Sequence, residues 1–104
     1  MTRRVRLHPA AIADLRDALA WYDRQSPGLG RAVLAEMRRV IERIRLFPYA
    51  YRQLRPGIRQ AALPHMPLHI IYSSTEDDII IVAVPHTRRE PASVNRNIDD
   101  RTCD

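Results

Sequence analysis

The run Leu68-His69-Ile70-Ile71-Tyr72-Ser73-Ser74-Thr75-Glu76-Asp77-Asp78-Ile79-Ile80-Ile81-Val82-Ala83-Val84 decides the fold. Two apolar segments of strand length, Leu68 to Ser73 and Ile79 to Val84, flank the acidic tetrapeptide Thr75-Glu76-Asp77-Asp78. Branched apolar side chains on either side of a short polar turn predict an antiparallel hairpin. Ile79 to Val84 is apolar at both parities, so both of its faces are expected to be covered and the strand to lie centrally. Setting Ser74 opposite Ile79 and stepping away from the turn places His69 opposite Val84 and diagonal to His86. Both imidazoles are then expected on one sheet face.

Working outward, Pro56-Gly57 closes a turn-like stretch and Ile58 to Leu63 supplies a further strand. Near the N-terminus, Arg4-Val5-Arg6-Leu7 alternates charge with apolar residues at the period of a strand with one face on a core. Two helices are expected between these strands. Pro9 suits the first position of a helix, and Ile12, Leu15, Leu19 and Tyr22 recur at helical spacing. Ser26-Pro27-Gly28 breaks that helix and opens the next, with Ser26 as N-cap and Pro27 as first helical residue. Val33, Met37, Val40, Ile44 and Phe47 form the clearest apolar stripe. The opposite face carries Arg31, Arg38, Arg39, Glu42, Arg43 and Arg45 and reads as solvated, with pairs such as Arg38 and Glu42. Pro48 ends the helix. The expectation is a single α+β domain of order βααβββ, an antiparallel sheet with a helical hairpin on one face. The domain should span residues 1–91, with a short tail at 92–104 holding at most one helical turn.

A chain of 104 residues fits one core, since domains commonly hold roughly 100 to 150 residues. Its basic side chains, 17 in number, are all arginine; set against 12 acids they give a net charge of +5, which attracts polyanions or acidic proteins. Cys103 is the single cysteine, so an internal disulfide is excluded and a reducing cytoplasm is the expected location. Neither a signal-like apolar stretch nor a run of membrane-spanning length is present, and no membrane partner is expected.

The four histidines, His8, His65, His69 and His86, show no ligand spacing, so no metal is expected. Gly28 and Gly30 do not form a phosphate loop, and no cofactor is expected. Neither Cys103 nor Ser73 and Ser74 has the setting of an activated nucleophile. Metal-free RNA cleavage asks less, needing a base, an acid and cations around a phosphorane, which histidine and arginine supply. His69 and His86, with Arg59, Arg88 and Arg89 flanking the same sheet, are the candidate set.

The order of several short motifs carries a family likeness. Leu7-His8-Pro9-Ala10 with Asp14-Leu15, then Trp21-Tyr22-Asp23-Arg24-Gln25-Ser26-Pro27-Gly28-Leu29-Gly30, resembles the first half of ParE-type toxins. Phe47-Pro48, Gly57-Ile58-Arg59, Ile70-Ile71-Tyr72 and Ala83-Val84-Pro85-His86-Thr87-Arg88-Arg89-Glu90-Pro91 follow in the family's order. The chain is similar to the RelE/ParE superfamily over residues 5–91. That resemblance implies a compact toxin held inactive by a cognate acidic antitoxin in a hetero-oligomer. It implies one of two targets. A ParE-like toxin binds DNA gyrase and needs no chemistry, with Arg59, His86, Arg88 and Arg89 as the target-binding residues. A RelE-like toxin cuts messenger RNA on the ribosome, with His86 as acid, His69 or a substrate-positioned group as base, and Arg59 with Arg88 or Arg89 at the phosphorane. A third reading is an inactive relic that only binds an antitoxin. The ribonuclease branch carries a strand arginine where His69 stands and commonly a tyrosine near the C-terminus, whereas no tyrosine follows Tyr72 here. The gyrase reading is therefore preferred.

Overall fold

In the computed structural model, residues 3–86 are described. Arg88, Arg89 and the tail at 92–104 lie outside them. The element order is β1 (Arg4–Leu7), α1 (Pro9–Gln25), α2 (Leu29–Leu46), β2 (Arg52–Arg55), β3 (Ile58–Ala62), β4 (His69–Ser74) and β5 (Asp78–Ala83). The α+β class and the βααβββ order hold, with one strand added. The added strand is β2, whose Arg52-Gln53-Leu54-Arg55 has too little apolar content to read as a strand. Among the described residues it is an edge strand paired only to β3, and polar side chains are what a sheet edge tolerates.

The five strands run β1-β5-β4-β3-β2. All neighbours are antiparallel except β1, which lies parallel to β5 with Arg4 beside Asp78 and Leu7 beside Ile81, so the sheet is mixed. Parallel pairing follows from the long excursion through two helices and three strands between β1 and β5. The β4–β5 turn is closed by Thr75. Its N–H donates to the Asp78 carbonyl at 2.8 Å, and its Oγ1 accepts from the N–H groups of Asp77 and Asp78 at 3.3 and 3.0 Å.

Both helices cover one sheet face. Val33, Met37, Val40 and Ile44 of α2 and Ala11 and Tyr22 of α1 pack with Ala61, Leu63, Leu68, Ile70, Tyr72, Ile79, Ile81 and Val84. Phe47 departs from the expected stripe: α2 ends at Leu46, Phe47 leaves helical geometry at φ −135°, and the residue is 60% exposed. Ile12 also turns outward, because the buried stripe of α1 is centred on Ala11, Leu15, Ala18 and Tyr22. The opposite sheet face carries a smaller buried cluster of Ile58, Ile71, Val82 and Ala83.

The helix ends correct two further expectations. Ser26 is the C-cap of α1, its N–H donating to the Tyr22 carbonyl, and the N-cap of α2 is Gly28 at φ 86°. That left-handed geometry suits glycine. The acceptor that Ser26 was expected to supply comes from the preceding helix, where Asp23 Oδ1 accepts from the Gly30 N–H at 2.8 Å. A side chain at Gly30 would meet the Leu19 carbonyl at 2.8 Å, so glycine is what lets the helices approach. On the solvated face of α2 the ion pairs are Arg39 with Glu36 and Arg45 with Glu42, one turn apart in each case.

Candidate functional site

His8 begins the site by starting α1. Its Nδ1 accepts from the Ala10 N–H at 3.1 Å, so the imidazole does the capping work usually given to a hydroxyl or carboxylate. The helix then packs against β5. Asp14 Oδ2 accepts from the Val84 N–H at 3.1 Å and ties the helix to the chain leaving β5.

A β-bulge then decides where the histidines fall. Near the turn the pairing follows the expected register, Ser74 with Ile79, Ser73 with Ile80 and Tyr72 with Ile81. The next pair is Ile71 with Ala83, one residue out of step, and Leu68 bridges to His86. Val82 and Ala83 both join the cluster away from the helices. An extra residue in one strand inverts the facing of everything beyond it. The expectation that His69 and His86 share a face is therefore corrected. His86 lies on the helix side with Leu68, its ring 5.7 Å from that of Trp21. His69 pairs with Ala62 and lies on the opposite face, where burial, aided by the Arg52 charge, holds its pKa below the usual histidine value.

Arg59 pairs with Tyr72 and so points to the helix side, apart from His69. Its guanidinium donates to the carbonyls of Tyr51 and Tyr49 at 2.7 and 3.3 Å and sits 5.5 Å from the centroid of the Tyr49 ring. Arg3 approaches the same ring at 5.6 Å. Beneath them the Tyr72 hydroxyl donates to the Pro48 carbonyl at 2.6 Å. Burial pushes this phenol up to about 12, with the Arg59 charge opposing and Tyr51 adding to the rise. Arg59 thus holds the segment between α2 and β2 in place.

Two surfaces result. One is a cleft of about 370 Å³ between α1 and the ends of β4 and β5, lined by Asp14, Asp17, Trp21, Leu68, Val84 and His86, with Ala18 in its floor and Arg24 at one end. Trp21 is 37% exposed there. The other is an apolar patch of Leu46, Phe47 and Tyr49, the last 62% exposed, flanked by Arg3 and Arg59. Sequence reasoning left the cleft unread. Its available signal was that Asp14, Asp17 and Trp21, spaced by three and four, fall on one helical face beside the core stripe. Among the described residues, no group of three or more His, Cys, Asp or Glu could hold a metal ion, and no helix is long and apolar enough to cross a membrane.

Comparison with known proteins agrees with this architecture. The family model described as "ParE toxin of type II toxin-antitoxin system, parDE" matches residues 5–91. Toxin ParE2 of Mycobacterium tuberculosis, in strains CDC 1551 / Oshkosh and ATCC 25618 / H37Rv, is 31% identical over 103 residues, 98% of either chain. A solved structure titled "Chromosomal ParDE TA system from P. aeruginosa" superposes with a TM-score of 0.73 at 16% identity, covering 84% of this chain and 98% of that one. The likeness in fold, the full-length relative and the family match over nearly the whole described chain lead to one assignment: the protein belongs to the ParE toxin family of type II toxin-antitoxin systems.

Proposed function

We propose that this ParE-family toxin arrests growth by binding DNA gyrase and trapping it on DNA, and that an acidic cognate antitoxin neutralises it in a hetero-oligomer. Its place of action is the cytoplasm, where chromosome and gyrase meet. The observation that carries the binding mechanism is the separation of His69 from His86 by the sheet, with Arg59 engaged on backbone carbonyls. A metal-free ribonuclease needs acid, base and phosphorane-stabilising cations around one phosphate, each commonly contributing about a hundredfold or more in rate. On opposite faces of the sheet, His69 and His86 do not form an acid–base pair at one phosphate. A binding poison needs only a complementary surface.

The target-binding set is His86 with Arg59, Arg88 and Arg89, of which His86 lines the cleft beside Trp21. The net charge of +5 favours an acidic antitoxin through electrostatic complementarity. The test is paired. Purified toxin is expected to inhibit supercoiling of relaxed plasmid by gyrase and to leave a message translated in vitro uncut in primer extension. Adding antitoxin should restore supercoiling. Normal supercoiling together with ribosome-dependent cuts that vanish in His86→Ala would replace this reading with the ribonuclease one.

A further inference from the structure

The cleft beside α1 runs against the charge of the molecule. In a chain with an excess of arginine, its walls present two carboxylates, Asp14 and Asp17, on successive turns of one helix, next to the exposed face of the chain's single tryptophan. Its floor is apolar, made by Ala18, Leu68 and Val84. Arg24, one turn beyond Trp21, stands at the other end and gives the cleft a polarity.

We infer that this cleft is the seat of one arginine or lysine side chain carried by the antitoxin, an inference that rests on the reading of the chain as an antitoxin-controlled toxin. The chemistry selects the occupant. A long cationic side chain lays its methylene stem on an apolar floor while its head reaches carboxylates. Tryptophan is the best aromatic partner for such a cation. Arg24 repels a cation from its own end, so the head group settles beside Asp17, with Asp14, whose Oδ2 already accepts from the Val84 N–H, adding its charge. A cleft of about 370 Å³ has room for one side chain in a pocket, the kind of anchor that dominates interface energetics. An antitoxin attracted to the molecule by its overall acidity would then be set in register by a single residue of the opposite sign.

The test is a double-mutant cycle on the full-length proteins, with affinity measured by calorimetry. Asp17 is exposed and makes no helix cap, so Asp17→Asn leaves the fold intact. Each arginine and lysine of the antitoxin is replaced in turn by glutamine. One such replacement is expected to weaken binding about tenfold, Asp17→Asn to weaken it similarly, and the double variant to be little worse than either single. Trp21→Leu should reproduce the loss. An Asp17→Asn affinity within about twofold of wild type, or additivity with every antitoxin cation, overturns the inference while leaving the antitoxin reading standing. If Arg88→Gln with Arg89→Gln raises antitoxin affinity and also abolishes the effect of Asp17→Asn, the occupant is the toxin's own chain and the inference is overturned. Failure of the wild-type pair to bind removes the antitoxin reading itself, and the inference with it.

Discussion

The two faces of the sheet differ in what they bury and in what they leave for function. Among the described residues, the helix-side face buries fourteen, drawn from both helices, from β3, β4 and β5 and from the positions flanking them, and its margin holds His86, Trp21 and the cleft. The opposite face buries four, Ile58, Ile71, Val82 and Ala83, and carries His69 beside Arg52. What separates the two histidines is a single out-of-step residue in β5. A local irregularity in pairing thus decides whether two imidazoles are one site or two unrelated side chains.

The largest effect that would break this contrast is in stability. Ile44→Ala empties a fully buried position between α2 and the sheet and is expected to cost about 2–5 kcal/mol, measured by urea unfolding. Ile71→Ala removes the same atoms from the smaller cluster and should fall near the low end, about 2 kcal/mol, because fewer packed neighbours surround it. Equal losses would show that the second face is as tightly packed as the first.

Next in size is Tyr72→Phe. It leaves the buried Pro48 carbonyl without its donor, at a cost of about 1–3 kcal/mol. The sign of its pH dependence follows from the raised pKa. The neutral phenol is favoured in the folded state, so its contribution is complete below pH 10.0 and is lost as pH rises towards about 12. Wild-type melting temperature should fall more steeply than that of Tyr72→Phe across this window, and parallel curves would show that the phenol does not titrate with unfolding.

Much of this architecture is legible in the chain and some is not, for definite reasons. Val33, Met37, Val40 and Ile44 announce α2 because a period of three and four has one structural solution. The Thr75-to-Asp78 turn is equally plain between apolar runs. Strand β2 is not, since an edge strand is stabilised by backbone pairing and needs no apolar pattern. The bulge is invisible for a related reason: Ile79 to Val84 is apolar throughout, so shifting its register by one residue exposes nothing that composition could flag. The misplacement of His69 follows directly. The cleft escaped because it joins Asp14 and Trp21 to Leu68 and His86, residues that only the folded topology brings together.

The same bulge yields a functional contrast. His86→Ala, in the lining of the cleft, is expected to weaken gyrase inhibition by about tenfold, as loss of a central contact does, whereas His69→Ala should leave it within about twofold. The concentration giving half-inhibition of supercoiling measures both. Loss of inhibition in His69→Ala alone would move the target surface to the other face of the sheet.

The smallest effect belongs to His69 itself and would sharpen the picture of its surroundings. Burial in the open face, with the Arg52 guanidinium nearby, disfavours the imidazolium and lowers the folded-state pKa below 6.5. The unfolded chain then binds the proton more readily than the folded one between that lowered value and 6.5. Stability from this residue is therefore complete above pH 6.5 and declines as pH falls through the window, flattening once the folded form is also protonated. His69→Gln removes the titrating group, and Arg52→Gln removes the charge while keeping the strand polar. Thermal melts between pH 7 and pH 5 should lose slope in the first variant and lose a smaller part in the second, because burial is the greater cause. A slope unchanged in His69→Gln would assign the acid sensitivity to another histidine. A slope abolished fully by Arg52→Gln would make the guanidinium, not burial, the dominant influence on that face.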